Sequence, residues 1–150
     1  MRYDARIRWT GSTGLGWDSY DRTHTVAAPP AVAEIGMTTG ESKGDPRLNN
    51  PEQLLVMAAS SCQMLWFLHL AAKARIDVVE YTDEAIGEMP ESRFTRIALR
   101  PLIKVATADA SEDRIRRLAE LAHHECNIAK SLSCEVTVEP RIEVQPARAR

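Results

Sequence analysis

Three cysteines, Cys62, Cys126 and Cys134, carry the most reactive side chains of this 150-residue sequence. A thiol attacks as its thiolate, so a reactive cysteine needs a neighbouring cation or the free N–H groups of a helix start. Cys62 sits eleven residues beyond Pro51 in a stretch that reads as one helix. The helix dipole fades within a turn, so any activation of Cys62 must come from another part of the chain. Cys126 stands where a short helix begins, and the N–H groups there would favour its thiolate. Cys134 opens a strand among Ser131, Ser133 and Glu135, with no activating group beside it. On residue type and spacing alone, all three thiols read equally well as small buried fillers. His123-His124-x-Cys126 adds metal-donor chemistry, but neighbouring histidines face different sides of a helix. No C-x-x-C or H-x-x-x-H spacing completes a ligand set, so no metal is expected.

The element that must position Cys62 begins at Asn49-Asn50-Pro51-Glu52-Gln53. Asn50 suits an N-cap, Pro51 the first helical position, and Glu52 complements the dipole. No glycine or proline follows until Gly87, so a helix is expected from Pro51 to about Arg75. Between Leu54 and Leu68 it is apolar or small on nearly every side, which predicts a helix buried all round. Glu52, Gln53, Gln63, His69, Lys73 and Arg75 interrupt it, leaving no clean membrane span of about 20 apolar residues. Met57, Met64, Leu65, Trp66 and Phe67 read as core, with an apolar pocket as the other use for them.

Around this helix the hydrophobic period is that of strands. Tyr3, Ile7 and Trp9 alternate with charged residues as a half-buried strand, and Tyr20 to Val26 forms a second. Gly11 to Gly16 is a hairpin connection, not a phosphate loop, because no Gly-Lys-Ser/Thr follows. A short strand is expected near Val32 to Ile35, then a polar loop from Thr38 to Asn50. Strands are expected at Val78 to Ile86, Phe94 to Val105 and Glu135 to Val144, with Pro101 and Pro140 disturbing the last two. Ser111-Glu112-Asp113 starts a helix, and a shorter one runs from near Cys126 to Leu132. The sum is a single α+β domain over residues 1–150, with 146–150 as a loose tail. A helix apolar on all sides needs more cover than one sheet and one short helix give, so a homodimer is expected.

A formal charge of -2 and a pI near 6.1 give no electrostatic reason to expect nucleic acid. The N-terminus lacks an apolar signal region, and three cysteines make no disulfide framework, so a cytosolic protein without membrane association is expected.

Asn50-Pro51-Glu52-Gln53-Leu54-Leu55 followed by Ala58-Ala59-Ser60-Ser61-Cys62 resembles the NPEELL…AA..C signature of the OsmC/Ohr family, the osmotically inducible and organic-hydroperoxide-resistance proteins. Glu125-Cys126-Asn127-Ile128-Ala129 is similar to the family's second cysteine block, with Asn127 and Ala129 in place of its usual proline and serine. The resemblance implies antiparallel sheets packed around a long central helix, in an intertwined homodimer. It implies a thiol peroxidase without cofactor. Cys62 would attack the terminal oxygen of an organic hydroperoxide or hydrogen peroxide, and Cys126 would condense with the sulfenate as a disulfide. A dithiol, such as a dihydrolipoyl group, would restore both thiols. Arg22 is the best match to the family's activating arginine, with Arg47 and Arg8 behind it, and Glu52 is the carboxylate that would clamp it. Ten residues of one helix separate Glu52 from Cys62, about 15 Å, so either Arg22 lies extended between the two or, as this reading favours, Glu52 arrives from a partner chain. The rival expectation is a non-catalytic protein of the same fold that binds an apolar ligand or partner.

Overall fold

The computed structural model describes residues 1–106 and 111–145. The expected tail at 146–150 lies outside them. The chain gathers into two compact units, Met1–Leu54 and Leu55–Arg150.

The N-terminal unit holds an antiparallel sheet of three strands, β1 (Arg6–Arg8), β2 (His24–Ala27) and β3 (Ile35–Met37), with β2 in the centre. A 3-10 turn, Thr13–Leu15, and a loop through Tyr20 join β1 to β2. The loop turns at Gly16, whose φ of 91° suits glycine and strains any other residue. All three residues of β1 are exposed, not half-buried as their alternation suggests.

Helix α1 (Pro51–Lys73) begins as its sequence dictates. Gln53 N–H donates to Asn50 Oδ1 at 2.9 Å, and Asn50 N–H donates to Gln53 Oε1 at 3.0 Å. This reciprocal box satisfies two N–H groups that the first turn leaves unpaired. The helix ends by Lys73, and Arg75 follows in a left-handed conformation, φ 59°.

The C-terminal unit has two three-stranded sheets. One is β4 (Val78–Asp83), β7 (Pro101–Val105) and β9 (Arg141–Val144); the other is β5 (Ile86–Glu88), β6 (Arg96–Leu99) and β8 (Glu135–Val138). The three long strands expected from the sequence are all present, and each is broken at the same level. The breaks fall at Glu84–Ala85, at Arg100, and at Glu139–Pro140. Pro101 therefore starts a new strand instead of bulging an old one, since it cannot donate to the ladder. Two hydrogen bonds knit this line: Asp83 Oδ1 accepts Arg100 N–H at 2.7 Å, and Leu99 O accepts Glu139 N–H at 2.9 Å. The sheets are not antiparallel throughout. β6 pairs with β8 and β7 with β9 in parallel, and α2 (Glu112–Glu125) with α3 (Asn127–Ser131) supplies the crossover that parallel pairing needs. Gly87 fits where it stands for lack of space: a Cβ there would lie 2.6 Å from both Phe94 Cε1 and Val56 Cγ2.

The core lies between α1, α2 and the β4-β7-β9 sheet. Phe67 and Ala71 of α1 meet Ile115, Ala119 and Ala122 of α2, with Ile103 and Val105 from β7. A second cluster joins Ala59 to Ile97 and Leu99 of β6. The expectation of a helix buried all round is corrected here. Only Ala59, Gln63, Phe67 and Ala71, one residue per turn, are buried, while Met57, Ser61, Leu65 and His69 form an exposed stripe. The two sheets and α2 cover one face of α1, so its remaining apolar residues stay uncovered in a single chain.

Candidate functional site

Cys62 is half-buried on α1, and Cys126 is 1% exposed at the junction of α2 and α3. Packing of α2 against α1 brings these two side chains close enough for the Cys62 sulfur to act on the Cys126 thiol. Both are free thiols. Cys126 caps α3, its Sγ accepting the Ala129 N–H at 3.4 Å. The expected stabilisation of a thiolate by that helix start is therefore present, but it loses. Burial pushes the Cys126 thiol up, outweighing the Ala129 and Ile128 N–H groups, and the neighbouring Cys62 sulfur pushes it the same way. At neutral pH the pair thus holds a protonated Cys126 beside Cys62. Cys134 packs with Ile128, Leu132 and Val136 against the Ala59 cluster, as a half-buried apolar neighbour.

Arg22 and Glu52 come together in the N-terminal unit. They line one cavity of about 420 Å³ with Trp9, Tyr20, His24 and Thr38. The Arg22 guanidinium donates from Nη1 to Tyr20 O and from Nη2 to Trp17 O, both at 2.8 Å. It stacks on the Tyr20 ring, 3.8 Å from its centroid. Among the described residues Arg22 and Glu52 form no ion pair. The Glu52 carboxylate lies against Gly40, where a Cβ would come 3.2 Å from Oε2.

Of the other arginines, Arg47 is engaged by Asp45, at 3.0 Å from Nε and 2.9 Å from Nη2. The Arg47 side chain holds the Asp45 carboxyl down at about 2. Arg8 lies exposed on β1.

Sequence reading misses a polar cluster on the other side of α1. Ser60 Oγ donates to Asp83 Oδ2 at 2.5 Å, and both line a cavity of about 530 Å³ with Val56, Met57, Met64 and Tyr81. Among the described residues the Tyr81 hydroxyl is buried without a hydrogen-bond partner; burial first, then the nearby Asp83 carboxylate and then Cys126, push its ionisation upward. Two helix steps place Ser60 about 160° from Cys62 around α1, while Tyr81 across the cavity lies near Cys126. Met57 and Met64 line it, Phe67 is core, and Leu65 is 60% exposed. Only the small size of Ser60 among apolar neighbours hinted at a polar contact there.

The histidines divide. Among the described residues His123 Nδ1 is buried without a partner, and burial, then the adjacent His124, push this imidazole below its ordinary value. Among the described residues no three of His, Cys, Asp and Glu stand together as a metal site.

Fold and site together define an α+β protein whose long helix carries one thiol against a second, buried one. The chain belongs to the OsmC-like protein family, whose profile matches residues 43–141. Among solved structures it is similar to an OsmC-like protein of unknown function from Vibrio cholerae, at 28% identity and a TM-score of 0.83, covering 94% of this chain and 99% of that one. An organic hydroperoxide resistance protein from Legionella pneumophila shares the fold at 20% identity and a TM-score of 0.64, covering 95% and 97%. The organic hydroperoxide resistance protein of Bacillus subtilis does so at 16% and 0.57, covering 95% and 98%. No curated protein matches the sequence.

Proposed function

We propose that this protein is a cytosolic cysteine-based peroxidase that reduces organic hydroperoxides, and hydrogen peroxide as a smaller substrate of the same kind. The observation that carries the reading is the meeting of Cys62 and Cys126 in a chain of the OsmC-like family. The Cys62 thiolate attacks the terminal peroxide oxygen; an S–O bond forms, the O–O bond breaks, and alkoxide leaves to take up a proton. The buried Cys126 thiol then displaces hydroxide from the sulfenic acid, forming the Cys62–Cys126 disulfide and water. A small dithiol reduces that disulfide and returns both thiols. A protonated Cys126 suits this order, since it cannot compete with Cys62 for peroxide before Cys62 is oxidised. Arg22 is the cation assigned to activate Cys62, and Glu52 the carboxylate assigned beside it, in a homodimer.

The test is intact mass and thiol count before and after one equivalent of cumene hydroperoxide. The expected result is loss of two thiols and two mass units, reversed by a dithiol. An unchanged protein would leave the rival reading, a ligand-binding member of the fold. That rival is favoured by the apolar cavity lined by Met57 and Met64.

A further inference from the structure

We propose that the loop from Gly16 to Tyr20 is a holder for the Arg22 guanidinium, that Tyr20 is a positioning residue, and that position 22 requires arginine and not merely a positive charge. This rests on the reading of Arg22 as the cation that activates Cys62.

An exposed arginine ordinarily samples many rotamers, and ordering it costs entropy. Here two of its five N–H donors are committed to main-chain carbonyls, Tyr20 O and Trp17 O. One face is covered by the Tyr20 ring, and the Trp17 ring stands 5.7 Å away. The loop that offers those carbonyls is itself fixed. Gly16 O accepts the N–H groups of both Ser19 and Tyr20, and the left-handed Gly16 turns the chain back to permit it. Behind it, Lys43 Nζ lies 5.1 Å from the Trp17 ring centroid and binds Asp18 at 2.9 Å.

A carbonyl clamp differs from a carboxylate clamp in one respect that matters for a thiolate. Carbonyl dipoles orient the group without adding a formal negative charge to it. Three donors remain, on Nε and one on each Nη, for whatever enters the cavity. An ammonium has no planar fork with which to engage two carbonyls while lying flat on a ring. Lysine at this position would keep the charge and lose the placement.

Four variants test the holder, Tyr20→Phe, Tyr20→Leu, Gly16→Val and Arg22→Lys, with Arg22→Ala as reference. Three quantities are read: the pH dependence of Cys62 alkylation, kcat/KM for cumene hydroperoxide, and the exchange rate of the Arg22 Nη–H groups by NMR. Tyr20→Phe keeps the ring and should match the parent in all three. Tyr20→Leu and Gly16→Val should speed Arg22 exchange, raise the Cys62 pKa and lower kcat/KM by about tenfold or more, as for loss of one charge-assisted contact. Arg22→Lys should resemble Arg22→Ala. Parental exchange rates in both Tyr20→Leu and Gly16→Val, or parental thiol pKa and activity in Arg22→Lys with Arg22→Ala impaired, would overturn the proposal. Faster exchange in those loop variants with no effect even from Arg22→Ala upholds the holder and overturns only the assignment of Arg22 to Cys62.

Discussion

The carboxylate of Asp83 and the backbone N–H of Arg100 meet at 2.7 Å on the line where all three long strands of the C-terminal unit break. A ladder interrupted at that level leaves main-chain groups without strand partners, and a side chain takes over one of them. The other Asp83 oxygen receives Ser60 Oγ from α1, so a single carboxylate ties the break to the helix. Asp83→Ala removes both contacts and should destabilise the fold by about 2–3 kcal/mol, against about 1 kcal/mol for Ser60→Ala. Urea midpoints at a common m-value check the ranking; equal losses would mean that the Arg100 contact contributes nothing.

Stability should fall with rising pH because of Cys126. Its folded pKa is raised, so the folded state holds the thiol proton more tightly than the unfolded chain does. The resulting stabilisation is complete below the ordinary thiol range and is lost as pH rises through the raised value. Tyr81, also pushed up, adds a second decline of the same sign at higher pH. Denaturation midpoints between pH 7 and 11 should show both, with Cys126→Ala flattening the first and Tyr81→Phe the second. A first decline that persists in Cys126→Ala would assign it to another group.

The three thiols should separate by function. Cys62→Ser is expected to abolish peroxide turnover. Cys126→Ser should permit one oxidation and leave a sulfenic acid that dimedone traps. Cys134→Ser should change turnover less than twofold (about 0.4 kcal/mol in barrier), since its neighbours are apolar side chains. Continued turnover by Cys62→Ser with a dithiol present would end the assignment.

Subunit mixing asks which chain supplies Glu52. Glu52 and Cys62 share α1, ten residues apart, a rise of about 15 Å that a glutamate side chain does not cover. Inactive Glu52→Gln and inactive Cys62→Ser chains, mixed and refolded together, should regain activity if the carboxylate is donated across a dimer. Verified heterodimers that stay inactive would place Glu52 and Cys62 in one chain's site.

Local chemistry explains which parts of this structure were legible beforehand. The start of α1 was readable because Asn50, Pro51 and Glu52 each suit a helix N-terminus. The strands were readable as hydrophobic periods but not as broken ones. Pro101 and Pro140 mark two of the three breaks, while the pairing that aligns them is tertiary. The Cys126 environment was half legible: the helix start could be seen, but the burial that outweighs it depends on where α2 packs. The Arg22 clamp was hidden, because main-chain carbonyls leave no trace in residue types. The one-sided burial of α1 was missed for a similar reason, since composition shows what a helix can bury and not what covers it.

The line of breaks also bears on how this chain behaves in a crowded solution. An uninterrupted outer strand is a template on which other molecules can add strands, and the risk grows with its length. Here the outer strands are cut short: β5 has three residues, β8 and β9 have four each, and β4, the longest at six, changes register between Val78 and Glu80. Proline and charged side chains occupy the gaps. The same breaks that hand one N–H to Asp83 thus leave no long edge among the described residues on which aggregation could start.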